Sequence, residues 1–310
     1  MLSATVLLSA SPRPATDLPA EALVTPVSRE ETYSVNARVR PLLLFWIGRR
    51  NVGDARIRWR EGPGGERAID LLVGTDPDRA PRRINRWGFV SEHISGDRLE
   101  MVGLMTASDE ATLEEARAKV NQPGAFTTYK ASRTTIVGSS GTNRTSSFAA
   151  PADLTYRDLD QLLARPDPGT QPDRPIVRDS PATTGFLFAI ETLMHSVLKS
   201  CAREAVNGSA PTVYLHNRSR YTLALESCRP FDEFNVDGQL FSQVADSRFV
   251  ITNLTSGART HFGITYGAAG RYQGIPVRAV FRPNWWIEVE LVHRGVAAPV
   301  ATKTSAWRHP

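Results

Sequence analysis

Glu191 and His195 are the residues of this chain whose types and spacing best suit chemistry. They stand four positions apart in a segment with helical periodicity, so both side chains lie on one helix face, as two metal ligands on a helix do. The segment holds no second histidine, and no third ligand follows nearby. A hydrogen-bonded pair or a solvated stripe is the favoured interpretation, so we predict no metal site and no cofactor.

Motifs for nucleophilic catalysis and phosphate binding are missing from the sequence. There is no Gly-x-Ser-x-Gly elbow, and Cys201 ends an apolar helical pattern in which a thiolate is disfavoured. The stretch Gly138-Ser-Ser-Gly lacks the lysine and the helix start of a P-loop. We therefore predict no catalytic residue.

A polar segment offers a candidate anion-binding site, because it holds four arginines, namely Arg79, Arg82, Arg83 and Arg86. Clustered guanidinium groups bind carboxylate or phosphate through paired hydrogen bonds. Three carboxylates, at Asp70, Asp76 and Asp78, are near enough in sequence to neutralise the cluster. That structural role is the favoured alternative.

Aromatic and aliphatic side chains give a second candidate, an apolar groove between a curved sheet and a helix. Concave apolar surfaces of this type bind small molecules. The predicted lining residues are Trp46, Trp59, Phe186, Ile190, Met194, Phe262 and Trp286. The alternative is that these side chains only fill a core and cover sheet faces.

The helix that would form one side of this groove is predicted over residues 183–206. Its apolar residues recur at helical spacing and make an unusually broad apolar surface. Such a surface must be covered on most sides. The strands that precede and follow it are the obvious cover, while a second helix is predicted from Ser108 to Val120, where a capping residue and early acidic residues mark its start.

Strands are predicted wherever apolar and polar residues alternate between turn-forming residues. The clearest case is the segment from His261 to His293, which reads as strand, glycine-bearing turn and strand, and includes Trp285 and Trp286. Adjacent strand positions face opposite sides, so we expect at most one of these two indoles to face the helix. The whole pattern predicts an α+β, β-dominated fold, in which a strongly curved antiparallel sheet, an incomplete barrel, covers the long apolar helix.

Length and composition allow a substantial core, since the chain has 310 residues of which 41% are hydrophobic. We predict a tail at residues 1–26, one β-rich domain at 27–300 with a proline-rich connector near 166–181, and a tail at 301–310. The first ten residues are largely apolar and precede a Pro/Ala-rich spacer, like the end of a signal peptide. They lack its basic start, so an irregular tail is the alternative.

Charge and cysteine content narrow the partners and the compartment. The formal charge of +5 comes from arginines scattered among 32 acidic residues, with no basic face or recognisable module, so we predict no nucleic-acid partner. No stretch of 18 uninterrupted apolar residues occurs, and we predict no transmembrane helix. Cys201 and Cys228 form an even pair that suits an oxidising compartment, either as a disulfide or as two buried thiols.

Two stretches carry a family resemblance. These are Tyr33 to Trp59, with Ile47-Gly-Arg-Arg-Asn-Val-Gly-Asp-Ala, and Gly274-Ile-Pro-Val-Arg through Pro283-Asn-Trp-Trp-Ile-Glu-Val-Glu-Leu. They resemble a family of uncharacterised bacterial exported proteins and, more distantly, the curved-sheet proteins related to lipoprotein carriers. The resemblance implies an envelope protein with an apolar cavity, and it transfers no catalytic residue.

Three functions remain open from the sequence. The first is a non-enzymatic, periplasmic or secreted protein that binds a lipid or another hydrophobic molecule in the cleft. The second is a hydrolase acting on cell-envelope material, which would need titratable groups such as Glu191, His195 or His261 to converge in a pocket. The third is a structural protein that binds another envelope protein through an exposed sheet edge or apolar patch.

Overall fold

One antiparallel sheet dominates the structure, a computed structural model that describes residues 26–39, 47–106, 113–138, 140–159, 174–176, 184–201, 204–216, 219–284 and 287–296. The strands in these residues are β1 (Val27–Val39), β2 (Ile47–Glu61), β3 (Arg67–Thr75), β4 (Trp87–Ser95), β5 (Arg98–Thr106), β6 (Phe126–Val137), β7 (Ser140–Pro151), β8 (Arg174–Ile176), β9 (Val206–Asn207), β10 (Thr212–His216), β11 (Ser219–Val236), β12 (Gln239–Asn253), β13 (Arg259–Gly267), β14 (Pro276–Asn284) and β15 (Ile287–Val296).

Two α-helices accompany the sheet within the described residues, α1 (Leu113–Asn121) and α2 (Phe186–Cys201). Short 3-10 turns occur at Pro81–Arg83, Tyr156–Asp158 and Gly270–Tyr272. Neither α-helix has the length and apolar character that a membrane crossing demands.

Sequence neighbours pair along almost the whole sheet. The order runs from β10 to β15, then from β1 to β8, with β9 added beside β11. Strands β1 and β15, from opposite ends of the described chain, pair with each other. Their register sets Tyr33 opposite His293 and Val35 opposite Leu291. The prediction of a β-dominated, antiparallel fold is confirmed.

The sheet curls so that distant strands meet through their side chains. Leu215 of β10 shares one buried cluster with Leu99 of β5 and Ile136 of β6. In sheet order, β11 to β15 and β1 to β4 lie between β10 and β5. At roughly 4.8 Å per strand, a flat sheet would hold them roughly 48 Å apart. The contact therefore requires pronounced curvature.

Helix α2 is shorter than predicted, since it begins at Phe186 and ends at Cys201. Most of its described apolar side chains pack against the sheet, and some of them are only partly buried. Leu193 and Val197 belong to a core cluster with Leu225, Phe249 and other residues of β11 to β13. Near the start of the helix, Leu187 and Phe188 pack against another part of the sheet. Their cluster includes Ile69 of β3 and Trp59 of β2. The helix thus contacts two separate walls of the curled sheet.

Several local predictions fall at the ends of strands or outside the described residues. Strand β14 ends at Asn284 and β15 begins at Ile287, and these two residues pair with each other. The prediction for Trp285 and Trp286 lies outside the described residues. Within the predicted connector at 166–181, Arg174–Ile176 forms β8 and pairs with β7, while the remainder lies outside the described residues. The predicted tails at 1–26 and 301–310 are also outside them, apart from residue 26.

Candidate functional site

The predicted groove residues that the structure describes lie on α2 and on the two sheet walls that it contacts. Phe186, Ile190 and Met194 of α2 pack in one cluster with Phe262 of β13, and the ring centroids of Phe186 and Phe262 are 6.2 Å apart. Trp59 packs on the opposite wall, in a cluster that also includes Phe186. Met194 is buried, whereas the other four side chains are only partly buried. The remaining two groove predictions, Trp46 and Trp286, lie outside the described residues.

A disulfide fastens the end of α2 to the sheet. It joins Cys201, the last residue of the helix, to Cys228 of β11, with the two Cα atoms 6.0 Å apart. Both cysteines are fully buried, and the Ser247 hydroxyl donates a hydrogen bond to the Cys228 sulfur at 3.0 Å. The helix therefore cannot leave the β11 wall at this end while the disulfide is intact.

The beginning of α2 is held by a buried carboxyl group. Glu92 of β4 accepts hydrogen bonds from the backbone N–H of Leu187 at 2.9 Å and of Phe188 at 3.1 Å. Gly185 permits this approach, since a Cβ atom there would lie 2.3 Å from the Glu92 carboxyl carbon. Burial raises the pKa of Glu92 to about 7, although the helix N–H groups oppose that rise.

Each arginine of the predicted anion site has a partner in the structure. Arg79 pairs with Asp76 at 2.7 Å and with Asp54, Arg82 pairs with Glu114 at 3.0 Å, Arg83 pairs with Asp78 at 3.4 Å, and Arg86 donates to the Asn85 carbonyl at 3.1 Å. Burial alone would lower the pKa of Arg79, but hydrogen bonds to its two aspartates raise it. These contacts accord with neutralisation of the arginines, and anion binding stays a prediction.

Asp54, which the sequence did not single out, joins these ion pairs into a network. It accepts hydrogen bonds from Tyr156, Arg79 and Arg294, while Arg157 reaches Asp76 at 2.7 Å. Burial would raise the pKa of Asp54, but the hydrogen bonds from Tyr156 and Arg79 hold it below its ordinary value. The network ties together four segments of the chain, namely β2, residues 76–79, residues 156–157 and β15.

The titratable groups considered for hydrolysis are engaged separately. The Glu191 carboxylate pairs with Arg67 at 2.6 Å, and His195 Nδ1 lies 2.9 Å from the Glu191 backbone carbonyl. His261 pairs instead with Glu226, at 3.0 Å. Among the residues that the structure describes, no group of three or more His, Cys, Asp and Glu side chains is arranged to hold a metal ion.

The sequence did not indicate a polar strip that the structure forms from Arg29, Glu31 and Tyr33 of β1 together with His293 of β15. His293 Nε2 lies 2.8 Å from a Glu31 carboxylate oxygen, and Arg29 Nε donates to the other oxygen at 2.9 Å. Rings of Tyr33 and Tyr272 stand edge-on to the His293 imidazole, with centroids 5.4 and 5.3 Å away. Burial would raise the pKa of Glu31, but the hydrogen bonds from His293 and Arg29 outweigh burial and lower it.

Tyr33 adds an unpaired polar group to this strip. Its side chain is 1% exposed, and its hydroxyl has no hydrogen-bond partner within the part of the chain that the structure describes. Burial, with the nearby Glu31 charge, raises the Tyr33 pKa well above its ordinary value, so the hydroxyl keeps its proton. The strip therefore holds an ionised carboxylate that is already paired and a protonated hydroxyl that is not.

Comparison with known proteins gives likenesses of overall structure alone. No protein-family model matches the chain, and no curated protein matches it. One similar solved structure is a β-barrel-like protein of the domain of unknown function DUF1849 from Brucella abortus, with 10% sequence identity, a TM-score of 0.46, and coverage of 88% of this chain and 100% of that chain. Another is described as a "putative lipoprotein" from Parabacteroides distasonis, with 9% identity, a TM-score of 0.29, and coverage of 88% and 97%.

The chemistry of the site follows from the chain's own residues. Partly buried apolar side chains face one another between α2 and the sheet, and a paired carboxylate and a free hydroxyl lie on neighbouring β1. The apolar groups offer surface to a nonpolar molecule.

Proposed function

We propose that this chain is a non-enzymatic exported protein that binds a lipid or another hydrophobic molecule between α2 and the curled sheet. One observation carries the proposal. Phe186 belongs to the apolar clusters on both walls, and Ile190, Phe262 and Trp59 around it are only partly buried. Apolar side chains that face each other and keep accessible surface are a place where a nonpolar ligand removes further area from water.

The way in which α2 is held supports the same proposal. At one end a disulfide fixes the helix to β11, and at the other end Glu92 and apolar packing hold it against β3 and β4. Packing between apolar side chains is non-directional, so a nonpolar ligand chain can add to it without needing hydrogen-bond partners. The disulfide also fits an oxidising compartment, which supports export.

A neutral apolar fluorophore, N-phenyl-1-naphthylamine, tests the proposal. We expect the folded protein to bind it saturably with enhanced fluorescence. Substitution Ile190→Lys places a charge on the groove and should weaken binding about tenfold or more, because a buried charge without a partner is strongly disfavoured. Leu240→Lys is the matched control, since Leu240 is a 58% exposed aliphatic side chain in β12.

The contrary outcomes are equally specific. A folded protein that gives no saturable fluorescence with this probe contradicts the proposed binding function. Equal affinity in the wild type, Ile190→Lys and Leu240→Lys would place the bound probe elsewhere on the molecule. Circular dichroism of each variant verifies that the β-rich fold is retained.

A further inference from the structure

The strip on β1 lies beside the proposed groove. In the register of β1 with β2, Arg29 is opposite Trp59, Glu31 is opposite Ile57, and Tyr33 follows on the same strand face. Ile57 and Trp59 in turn pack in the cluster that contains the first residues of α2. Alternate residues of a strand share a face, so Arg29, Glu31 and Tyr33 continue the wall that faces the helix.

The charge of Glu31 is already compensated. Arg29 Nε and His293 Nε2 each contact one of its carboxylate oxygens, at 2.9 and 2.8 Å. A ligand at this strip therefore does not meet a free carboxylate. The Arg29 and Tyr33 side chains of the strip can still donate hydrogen bonds to a ligand.

Two such donors flank Glu31. The Arg29 guanidinium lies over the Trp59 ring at 5.5 Å, its side chain is 39% exposed, and only its Nε bonds to Glu31. Guanidinium nitrogens bind carboxylate and phosphate oxygens in a fork. On the other side, the buried Tyr33 hydroxyl has no hydrogen-bond partner among the described residues. Leaving a buried hydroxyl unpaired is unfavourable, and a bound acceptor atom removes that penalty.

We propose that Arg29 and Tyr33 bind the acidic head group, a carboxylate or a phosphate, of a ligand whose apolar chain lies against Trp59 and α2. Donors on both sides select an acceptor, and an ionised acceptor forms the stronger hydrogen bonds. This assignment rests on the proposed function, because it names the ligand class for the same groove.

Calorimetric titration with three small probes tests the head group and the chain separately. Decanoate and decanol share an apolar chain of the same length and differ in the head group, whereas acetate has the carboxylate without the chain. At neutral pH, we expect decanoate to bind about tenfold or more tightly than decanol, since a hydrogen bond to a charged group is worth about that factor. Acetate should bind far more weakly than either.

Tyr33→Phe is the decisive variant. It removes a hydroxyl that is unpaired in the protein, so folding should be retained, while affinity for decanoate should fall about tenfold and affinity for decanol should not change. Tyr272→Phe is the matched control, because the Tyr272 ring also lies beside His293 but its hydroxyl contacts Gln239 at 3.5 Å.

The possible results separate the head-group assignment from the binding of the apolar chain. Equal affinity for decanoate and decanol, or an unchanged decanoate affinity in Tyr33→Phe, overturns the head-group assignment while leaving an apolar groove. Acetate binding as tightly as decanoate would mean a site for free anions rather than for an acidic lipid. Failure of both decanoate and decanol to bind overturns the assignment together with the proposed function. The wild-type comparison of probes holds even if a variant were to misfold.

Discussion

At the scale of single residues, Glu92 carries the most consequential interaction. It is 1% exposed, and the backbone N–H groups of Leu187 and Phe188 satisfy its carboxyl oxygens. Nearby, the Tyr214 ring of β10 packs against the Phe186 ring with centroids 5.4 Å apart, and the Arg67 guanidinium of β3 lies over the Phe188 ring. No ion pair to Glu92 occurs within the described residues, so its ionisation places an uncompensated charge in an apolar seam.

Stability should therefore depend on pH through Glu92. Its pKa is about 7 in the folded protein against an ordinary 4.5, so the folded state binds the proton more tightly than the unfolded state. The free energy of unfolding should fall as pH rises from about 5 to 8, by up to about 3 kcal/mol from this group. Denaturant unfolding at several pH values measures the slope.

Glu92→Gln provides the control for that slope. The amide keeps an acceptor for the helix N–H groups and does not ionise, so the pH dependence in this range should largely disappear. If wild type and Glu92→Gln lose stability in parallel between pH 5 and 8, Glu92 is not the group responsible.

The contacts within the polar strip could not be predicted from the sequence. Glu31 and His293 are 262 positions apart, and nothing local in either segment indicates their pairing. Only the register of β1 with β15, which sets Tyr33 opposite His293, brings them together. By contrast, the aspartates around Arg79 include Asp76, three positions away, and this neighbour could be named from the sequence.

At the scale of elements, periodicity predicted α2 and most strands because each has an apolar face that repeats at its own period. The prediction extended α2 to residues 183–206, whereas the helix spans Phe186–Cys201. Its first turn is set by Glu92, a residue from a distant strand, which local pattern cannot reveal. Likewise, the sequence pattern between His261 and His293 did not mark the strand ends at Asn284 and Ile287.

The disulfide is the element-scale contact that we expect to stabilise α2 most. Cys201 and Cys228 are 27 positions apart, and closing a loop of that size is worth about 3–4 kcal/mol in the chain-entropy model. The double substitution Cys201→Ser with Cys228→Ser should lower the free energy of unfolding in urea by about that amount. Both residues are changed together so that neither leaves a free thiol.

Chemical reduction of the wild-type protein supplies an independent comparison. Because both cysteines are fully buried, reduction should be slow until the protein is partly unfolded. Reduced wild type and the double variant should then unfold at similar urea concentrations. A double variant as stable as the oxidised wild type would show that packing, not the disulfide, holds α2.

At the scale of the whole molecule, curvature of the sheet brings its distant strands together. Leu215 of β10 is 2% exposed and packs with Leu99, Met101 and Ile136, which belong to β5 and β6. Pairing patterns predict that neighbouring strands are antiparallel, but they do not state how far a long sheet curls. From the sequence pattern, a curved sheet could be predicted only because the apolar surface of α2 has to be covered.

Leu215→Ala should loosen this contact between distant strands. Truncating a buried leucine costs about 2–5 kcal/mol of stability. Hydrogen exchange should rise in β10, β5 and β6 together, because they share the cluster. Leu254→Ala is the control, since Leu254 is 45% exposed and its truncation should change stability by less than about 0.5 kcal/mol. Exchange that rises in β10 alone would contradict contact across the curled sheet.

At this scale we propose that a hydrophobic ligand binds between α2 and the curled sheet. Native mass spectrometry of the full chain, purified from its own host without detergent, tests this most directly. We predict a population carrying a lipid-sized mass that is lost on organic extraction and is reduced in Ile190→Lys. A single mass equal to the chain alone, in protein that also fails to take up added lipid, would contradict the account.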